Sequence, residues 1–272
     1  MELLGSLGDG VKPDFTGKHV VVVGGGNVAM DATRTAKRLG AATVRCVYRR
    51  RVSDMTALPD EIEGARAEGC EILTLKAPVR VAYDGEDQVT GLVVQQQVIG
   101  EVKGGRPAPY RADVPEETIA CDIIVVAIGQ AIDSDPFVAA GVMTKRDAIV
   151  AENTGAVTNL VGVFSGGDCV TGPATVIRAI EAGKVAAANI DAYLGCHTDI
   201  AALVEIPAAP FRLKPASGRV NMTEREAHER MQDFELMERC MTEQEAKQEC
   251  SRCLRCDHFG HAGFKGGRTL KW

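Results

Sequence analysis

A chain of 272 residues, 45% hydrophobic and 25% charged, has globular composition and enough length for one large domain or two smaller ones. A formal net charge of −6 and a pI near 5.5 argue against nucleic acid or an anionic membrane surface as the main partner. The opening MELLGSLGDG has no basic n-region or long apolar core, and no later stretch approaches the ~18 apolar residues of a membrane span, so no membrane span and a cytoplasmic location are expected.

In chain order, His19 to Val23 is a β-branched run, Gly24, Gly25 and Gly26 form a tight turn, and Val28 to Leu39 is an apolar-periodic helix closed by Gly40. Thr43 to Tyr48 reads as a second strand, Asp60 to Glu68 as a helix ending at Gly69, and Cys70 to Leu75 as a third strand. This alternation calls for a parallel sheet with right-handed crossovers. From Val79 to Cys121, alternating runs broken by Asp84-Gly85 and Gly104-Gly105 predict an antiparallel meander laid over the sheet. The stretch DIIVVAIG, 122 to 129, returns as an apolar strand expected to be buried on both faces.

Beyond Ser134, Val161 to Phe164 reads as a strand, Gly166-Gly167-Asp168 as a turn, and Pro173 to Leu194 as a long helix with Pro173 in its first turn. Residues 206 to 218 carry three prolines and suggest an extended linker. Thr223-x-x-Glu226 and Thr242-x-x-Glu245 each have capping-box spacing, predicting two polar helices in a tail that nothing obviously pins to the rest. The expected fold class is α/β: a Rossmann-like parallel sheet with an antiparallel meander insertion, a partial second unit and a helical, cysteine-containing tail.

The spacing Gly24-x-Gly26-x-x-Ala29 is that of a dinucleotide-binding turn. Gly24 permits the turn, Gly26 the approach of backbone N–H groups to a pyrophosphate, and Ala29 close packing of helix on strand. Gly25, Asn27 and Val28 complete the cradle, where the helix N-terminus presents its positive dipole end. An NAD site normally places an acid about 20 residues past the first glycine. Here no acid lies between Asp31 and Asp54, while Arg34, Lys37, Arg38, Arg45, Arg49, Arg50 and Arg51 do. Arg49 and Arg50, just past the second strand, are the candidates for the 2′-phosphate of NADPH, with a solvated basic loop as the alternative. Gly129, closing DIIVVAIG, is a further cofactor-contact candidate.

Five of the nine cysteines, Cys46, Cys70, Cys121, Cys169 and Cys196, stand singly and read mostly as buried thiols. None forms a C-x-x-C pair within the nucleotide domain, so a redox dithiol is not expected there. No general acid or base is assigned. Cys240, Cys250, Cys253 and Cys256 crowd near the C-terminus. Cys250-x2-Cys253-x2-Cys256 has spacing for a 4Fe-4S cluster, with Cys240 available as a fourth ligand. A zinc site on Cys253, Cys256, His258 and His261 and an incomplete motif of free thiols are the alternatives.

The runs GGGNVAMDATRTAKRLGA, VYRR and DEIEGARAEGCEI, then VVAIGQ (125 to 130) and TNLVGVFSGGDCVTGPATVIRAIEAGKVAAANIDAYLG (158 to 195), resemble the glutamate synthase small-subunit-like oxidoreductases, flavoproteins with two dinucleotide-binding domains. ECSRCLRCD, 249 to 257, resembles a further element of that family. The resemblance implies that SGGDC closes over FAD, with Gly167 and Asp168 near its ribityl-diphosphate region and the backbone near Ala174 and Thr175 near the flavin ring. On this basis 1–16 is a leader, 17–133 an NAD(P)H-binding domain, 134–196 the C-terminal part of a discontinuous FAD domain, 197–221 a linker and 222–272 the tail. The family's first FAD-binding portion, with its own glycine-rich turn, precedes the NADPH domain, whereas only 19 residues precede Val20 here. The expectation is therefore a fragment, or a chain completed by a partner redox subunit, holding only half of an FAD site. The implied function is an NADPH-dependent flavin oxidoreductase module passing electrons from NADPH through FAD to iron–sulfur centres or a partner; the alternative is a non-catalytic nucleotide-binding assembly module.

Overall fold

The computed structural model describes residues 2–103, 106–196, 198 and 217–253. The chain divides into two compact units, 1–129 with 221–241, and 130–220 with 242–272. In the first, helix α1 (Glu2–Gly8) turns Leu3 and Leu7 onto the core, so the segment expected as a leader is packed structure. Strand β1 (His19–Val23) leads into α2 (Asn27–Arg38), β2 (Thr43–Tyr48), a 3-10 turn (Val52–Asp54), α3 (Pro59–Ala67) and β3 (Glu71–Thr74). Then come β4 (Lys76–Tyr83), β5 (Val89–Lys103), β6 (Arg106–Arg111), β7 (Glu117–Ala120) and β8 (Ile123–Val126).

The parallel sheet has the order β3-β2-β1-β8, with Val22 level with Cys46 on one side and Val125 on the other. Side chains alternate across a strand, so Val20 and Val22 face Ala29, Met30, Ala36 and Ile62 of the helical layer, and Val21 and Val23 face Leu92, Val94 and Ile119 of the antiparallel layer. Each fully buried valine contributes about 1.5–3 kcal/mol, and covering by a layer on each face is why β1 is an unbroken apolar run. The antiparallel sheet pairs β4 and β7 with the first half of β5 and β6 with its second half; β4, β5 and β6 follow the expected meander, while β7 returns to β5 rather than to β6. The expectation of burial on both faces fails for β8, because it is an edge strand: Val126 is 61% exposed.

The second unit contains α4 (Asp135–Ala139), the hairpin β9 (Thr144–Lys145) and β10 (Ala148–Ile149), the helical turn α5 (Asp168–Thr171) and α6 (Val176–Tyr193). Val161 to Phe164 is not a strand. Gly162 takes a left-handed φ of 77°, which interrupts extended backbone, and only Phe164 makes an isolated bridge, to Ala156. Pro173 lies before α6 rather than in its first turn. Gly172, at φ 75°, breaks the chain there, and Thr175 is the N-cap.

Residues 221–241 fold onto the first unit instead of starting a free tail. They contain the single turn α7 (Ala227–Arg230) and an antiparallel bridge between Glu224 and Glu238. The expected Thr223 capping box does not form, since the Thr223 carbonyl accepts from Arg239 N at 2.8 Å and Glu226 is the N-cap. The second box does form. Thr242 and Glu245 cap each other at the start of α8 (Glu243–Arg252), in the second unit. The linker expected at 206 to 218 lies outside the described residues up to 216. No helix among the described residues is long and apolar enough to cross a membrane.

Candidate functional site: a glycine-turn cleft on the first unit

The turn after β1 is built by close contacts. A Cβ on Gly24 would collide with the Ala127 carbonyl oxygen and stand 2.9 Å from Ala29 Cβ, so glycine here and a small residue at 29 let helix, turn and β8 meet. A Cβ on Gly25 would enter the Tyr48 ring. At Gly26 it would meet only Thr56 Oγ1, at 3.3 Å, leaving the outer side open. The loop before α3 holds the turn from outside: Thr56 N and Ala57 N donate to Gly25 O at 2.9 and 3.1 Å, and Leu58 N donates to Asn27 Oδ1 at 2.9 Å. Asn27 is thus a strut for the turn. Among the described residues no acceptor engages the N–H groups of Gly26, Asn27 or Val28, so α2 presents unsatisfied donors and its positive end to the cleft.

The cleft has a volume of about 850 Å³. Gly24, Gly25, Gly26, Asn27, Val28, Arg49, Arg50 and Gly129 all line it, while Ala29 is fully buried beneath the turn. The structure thereby brings together residues chosen from three separate stretches of sequence. It also sorts the basic interval into two classes. Arg34 and Arg38 are buried and point away, both onto Glu68 Oε1, at 2.6 and 3.0 Å. Arg34 also pairs with Glu61 at 2.6 Å. Burial disfavours the Arg34 charge, but Glu68 and Glu61 more than compensate, so its pKa moves up. Arg45 pairs with Glu71 at 3.2 Å and Arg51 with Asp54 at 2.9 Å. The hydrogen bond from Arg51 holds the Asp54 carboxyl below its usual range. These four arginines are therefore held in ion pairs, while Arg49 and Arg50 line the cleft.

Sequence reasoning missed the opposite wall. Pro78, Val79, Arg80 and Val81 of β4 and Arg106 of β6 line the cleft, and so do Tyr48 and Thr56. Arg80 is ion-paired with Glu116. Arg50 Nε donates to Pro107 O at 2.8 Å, joining the end of β2 to β6, and Tyr48 Oη donates to Asp54 O at 2.9 Å. The available signal was the tyrosine ending the second strand beside a glycine turn; the Arg106 placement has no local signature.

In the second unit, Gly167 takes φ 78° at the start of α5, a conformation that favours glycine. Gly166 is needed for packing, since a Cβ there would lie 3.0 Å from Ala182 Cβ on α6. Asp168 Oδ1 accepts from Ala174 N at 3.2 Å, so the predicted flavin-contact residues Asp168 and Ala174 are bonded to each other. Thr175 Oγ1 caps α6 by accepting from Arg178 N at 3.5 Å, a long bond. The N–H groups of Val176 and Ile177 have no acceptor among the described residues, and both side chains are exposed.

Burial pushes the Cys46 thiol up to about 12 and Cys70 to about 11, and raises Cys121, so these are inert buried thiols, as expected. Cys169 is half-buried and Cys196 exposed, so the buried-thiol reading does not extend to them. Cys240 belongs to the first unit, Cys250 lies in α8 of the second, and Cys253 ends that helix. Cys256, His258 and His261 lie outside the described residues. Among the described residues no group of three His, Cys, Asp or Glu could hold a metal ion.

The profile of the family described as Pyridine nucleotide-disulphide oxidoreductase matches residues 6–183. The chain is 35% identical over 262 residues to the NADP(+)-dependent formate dehydrogenase subunit beta of Moorella thermoacetica, covering 91% of this chain and 37% of that protein. It is 35% identical over 202 residues to the glutamate synthase [NADPH] small chain of Azospirillum brasilense, covering 69% of this chain and 41% of that one, which bears out the resemblance to that group. The chain thus spans less than half the length of these relatives. Mycobacterium tuberculosis FprA, solved in complex with NADPH, shares the fold at TM-score 0.54 and 17% identity, over 69% of this chain and 55% of that one.

Proposed function

We infer, from a chain that belongs to the pyridine nucleotide-disulphide oxidoreductase family of NAD(P)H-dependent oxidoreductases, that its first unit binds NADPH and delivers reducing equivalents to a flavin held partly by its second unit. One observation carries the reading: the free N–H groups at the start of α2 and the guanidinium groups of Arg49 and Arg50 line a single cleft. Those groups suit a pyrophosphate and a 2′-phosphate respectively. Relatives named for NADP(+) or NADPH support the choice of cofactor.

Bound NADPH would supply hydride. The protein's own contribution is to bind and orient. The glycine turn lets the backbone approach the diphosphate, and Val23, Val126 and Ile128 give the cleft an apolar floor and side. For FAD, the second unit fits in part. Gly167, Asp168 and the open N-terminus of α6 form one side of a site, and exposed Val176, Ile177 and Ile180 leave an apolar face that flavin and a further polypeptide segment would cover. A partner redox subunit belongs to the same proposal, since several relatives are named as subunits or small chains. An iron–sulfur centre on Cys250, Cys253 and Cys256, with Cys240, is included as an onward acceptor, tested by iron and sulfide analysis after anaerobic reconstitution.

The deciding experiment is anaerobic addition of NADPH to the full chain supplied with FAD and with its isolated partner assembly. Bleaching of the visible flavin band is expected, and faster than with NADH. NADPH binding without flavin reduction in the assembly would instead support a non-catalytic assembly module.

A further inference from the structure

The cleft is closed on one side by strands that carry no recognisable nucleotide signature, and the charges there are unequal. Arg51 is neutralised by Asp54, through bonds of 2.9 and 3.0 Å, and Arg80 by Glu116. Among the described residues no carboxylate lies within ion-pair distance of Arg49, Arg50 or Arg106, although all three line the cleft. Unpaired guanidinium groups converging on one cavity form an anion site.

Arg106 is held at that end by specific bonds. Its Nη2 donates to the Asp54 carbonyl at 3.3 Å, the same oxygen that accepts from Tyr48 Oη at 2.9 Å. The next residue is fixed as well, because Pro107 O accepts from Arg50 Nε at 2.8 Å. A register shift in β5 between Ile99 and Val102, opposite β6, re-aims this end of the hairpin. One donor of Arg106 is used in the Asp54 contact, leaving the rest of the fork for a ligand.

We propose that Arg106, delivered by the antiparallel layer, is a specificity-determining residue that contacts the 2′-phosphate of NADPH together with Arg49 and Arg50, and that the Arg50–Pro107 bond holds it in place. The proposal rests on the reading of the cleft as the NADPH site and adds its third cationic ligand. The adenosine end of the cofactor is then gripped between the parallel sheet and the meander. NADH lacks the phosphate, so Arg106 contributes to discrimination and little to binding the common part.

The test is equilibrium titration of the full chain and of Arg106→Ala and Arg106→Lys with NADPH, NADH and 2′,5′-ADP. Arg106→Ala is expected to weaken NADPH and 2′,5′-ADP by about tenfold or more while NADH affinity is kept, and Arg106→Lys to recover part of the loss. Retained NADH affinity also reports that the variant is folded. Arg106→Ala with wild-type discrimination, or with equal losses for both cofactors, would overturn the role of Arg106 and leave the cleft reading intact. Wild type that binds NADPH and NADH equally, or neither, would overturn both.

Discussion

Arg230 Nε lies 3.0 Å from Glu68 Oε1, joining residues 221–241 to the helical layer of the first unit. It is close enough for an ion pair but turned away from hydrogen-bond alignment. Glu68 is fully buried and its Oε1 also serves Arg34 and Arg38, while Arg230 pairs with Glu224 and its carbonyl accepts from Arg38 Nε at 2.9 Å. One carboxylate is thus shared by three guanidinium groups, of which Arg34 and Arg230 have a second partner in Glu61 and Glu224. Glu68→Gln is expected to cost about 3–5 kcal/mol, because it strands buried positive charge. Arg230→Met leaves Glu68 paired twice and should cost less, with protease sensitivity rising selectively in 221–241. Urea unfolding of both variants checks the order, and equal losses would contradict it.

The glycine turn separates folding from binding. Gly24→Ala forces a Cβ against the Ala127 carbonyl and is expected to lower the unfolding midpoint. Gly26→Ala meets only Thr56 Oγ1 at 3.3 Å and should fold with nearly wild-type stability, yet it fills the space a pyrophosphate needs and should lose NADPH affinity. Thermal melts and cofactor titration on the two variants distinguish these outcomes.

The buried cysteines should resist alkylation. With thiols pushed to about 12 and about 11, Cys46 and Cys70 are expected to stay unmodified by iodoacetamide at neutral pH in the native protein and to react on unfolding in urea. Peptide mapping reads this directly. Rapid native labelling at either position would contradict the burial of Cys46 in β2 and of Cys70 between α3 and β3.

Asp233 gives a pH signature. Side-chain bonds from Arg225, both 2.8 Å, and the Glu235 N–H hold its carboxyl at about 2. A depressed folded-state pKa stabilises above the ordinary value of about 3.9 and loses that contribution as pH falls toward the folded value. The stability gap between wild type and Asp233→Asn should therefore narrow from about pH 4 to about pH 2. A gap constant over this range would show that the ion pair contributes nothing.

The β1, turn and α2 succession was legible because each step is local: a β-branched strand, glycines where a Cβ would collide, and a helix closed by Gly40. Arg49 and Arg50 were legible for the same reason, standing directly after β2. The ion pairs of Arg34 and Arg38 had no local signal, because their partner, Glu68, lies on another element, and only tertiary packing reveals the pairing. Arg80 and Arg106 were invisible as cleft-lining residues because the antiparallel layer's approach to the sheet depends on long-range packing. Local spacing also misled at Thr223, whose carbonyl is committed to a strand-like partner, and at Val161 to Phe164, where Gly162 breaks the extension.

The most direct test of the account is a fluorescence titration of the full chain with NADPH and NADH, repeated on Arg49→Ala. One saturable NADPH site is expected, tighter than NADH by about tenfold or more, with most of that preference lost in the variant. Equal affinity for the two cofactors, or a preference untouched by Arg49→Ala, would contradict it.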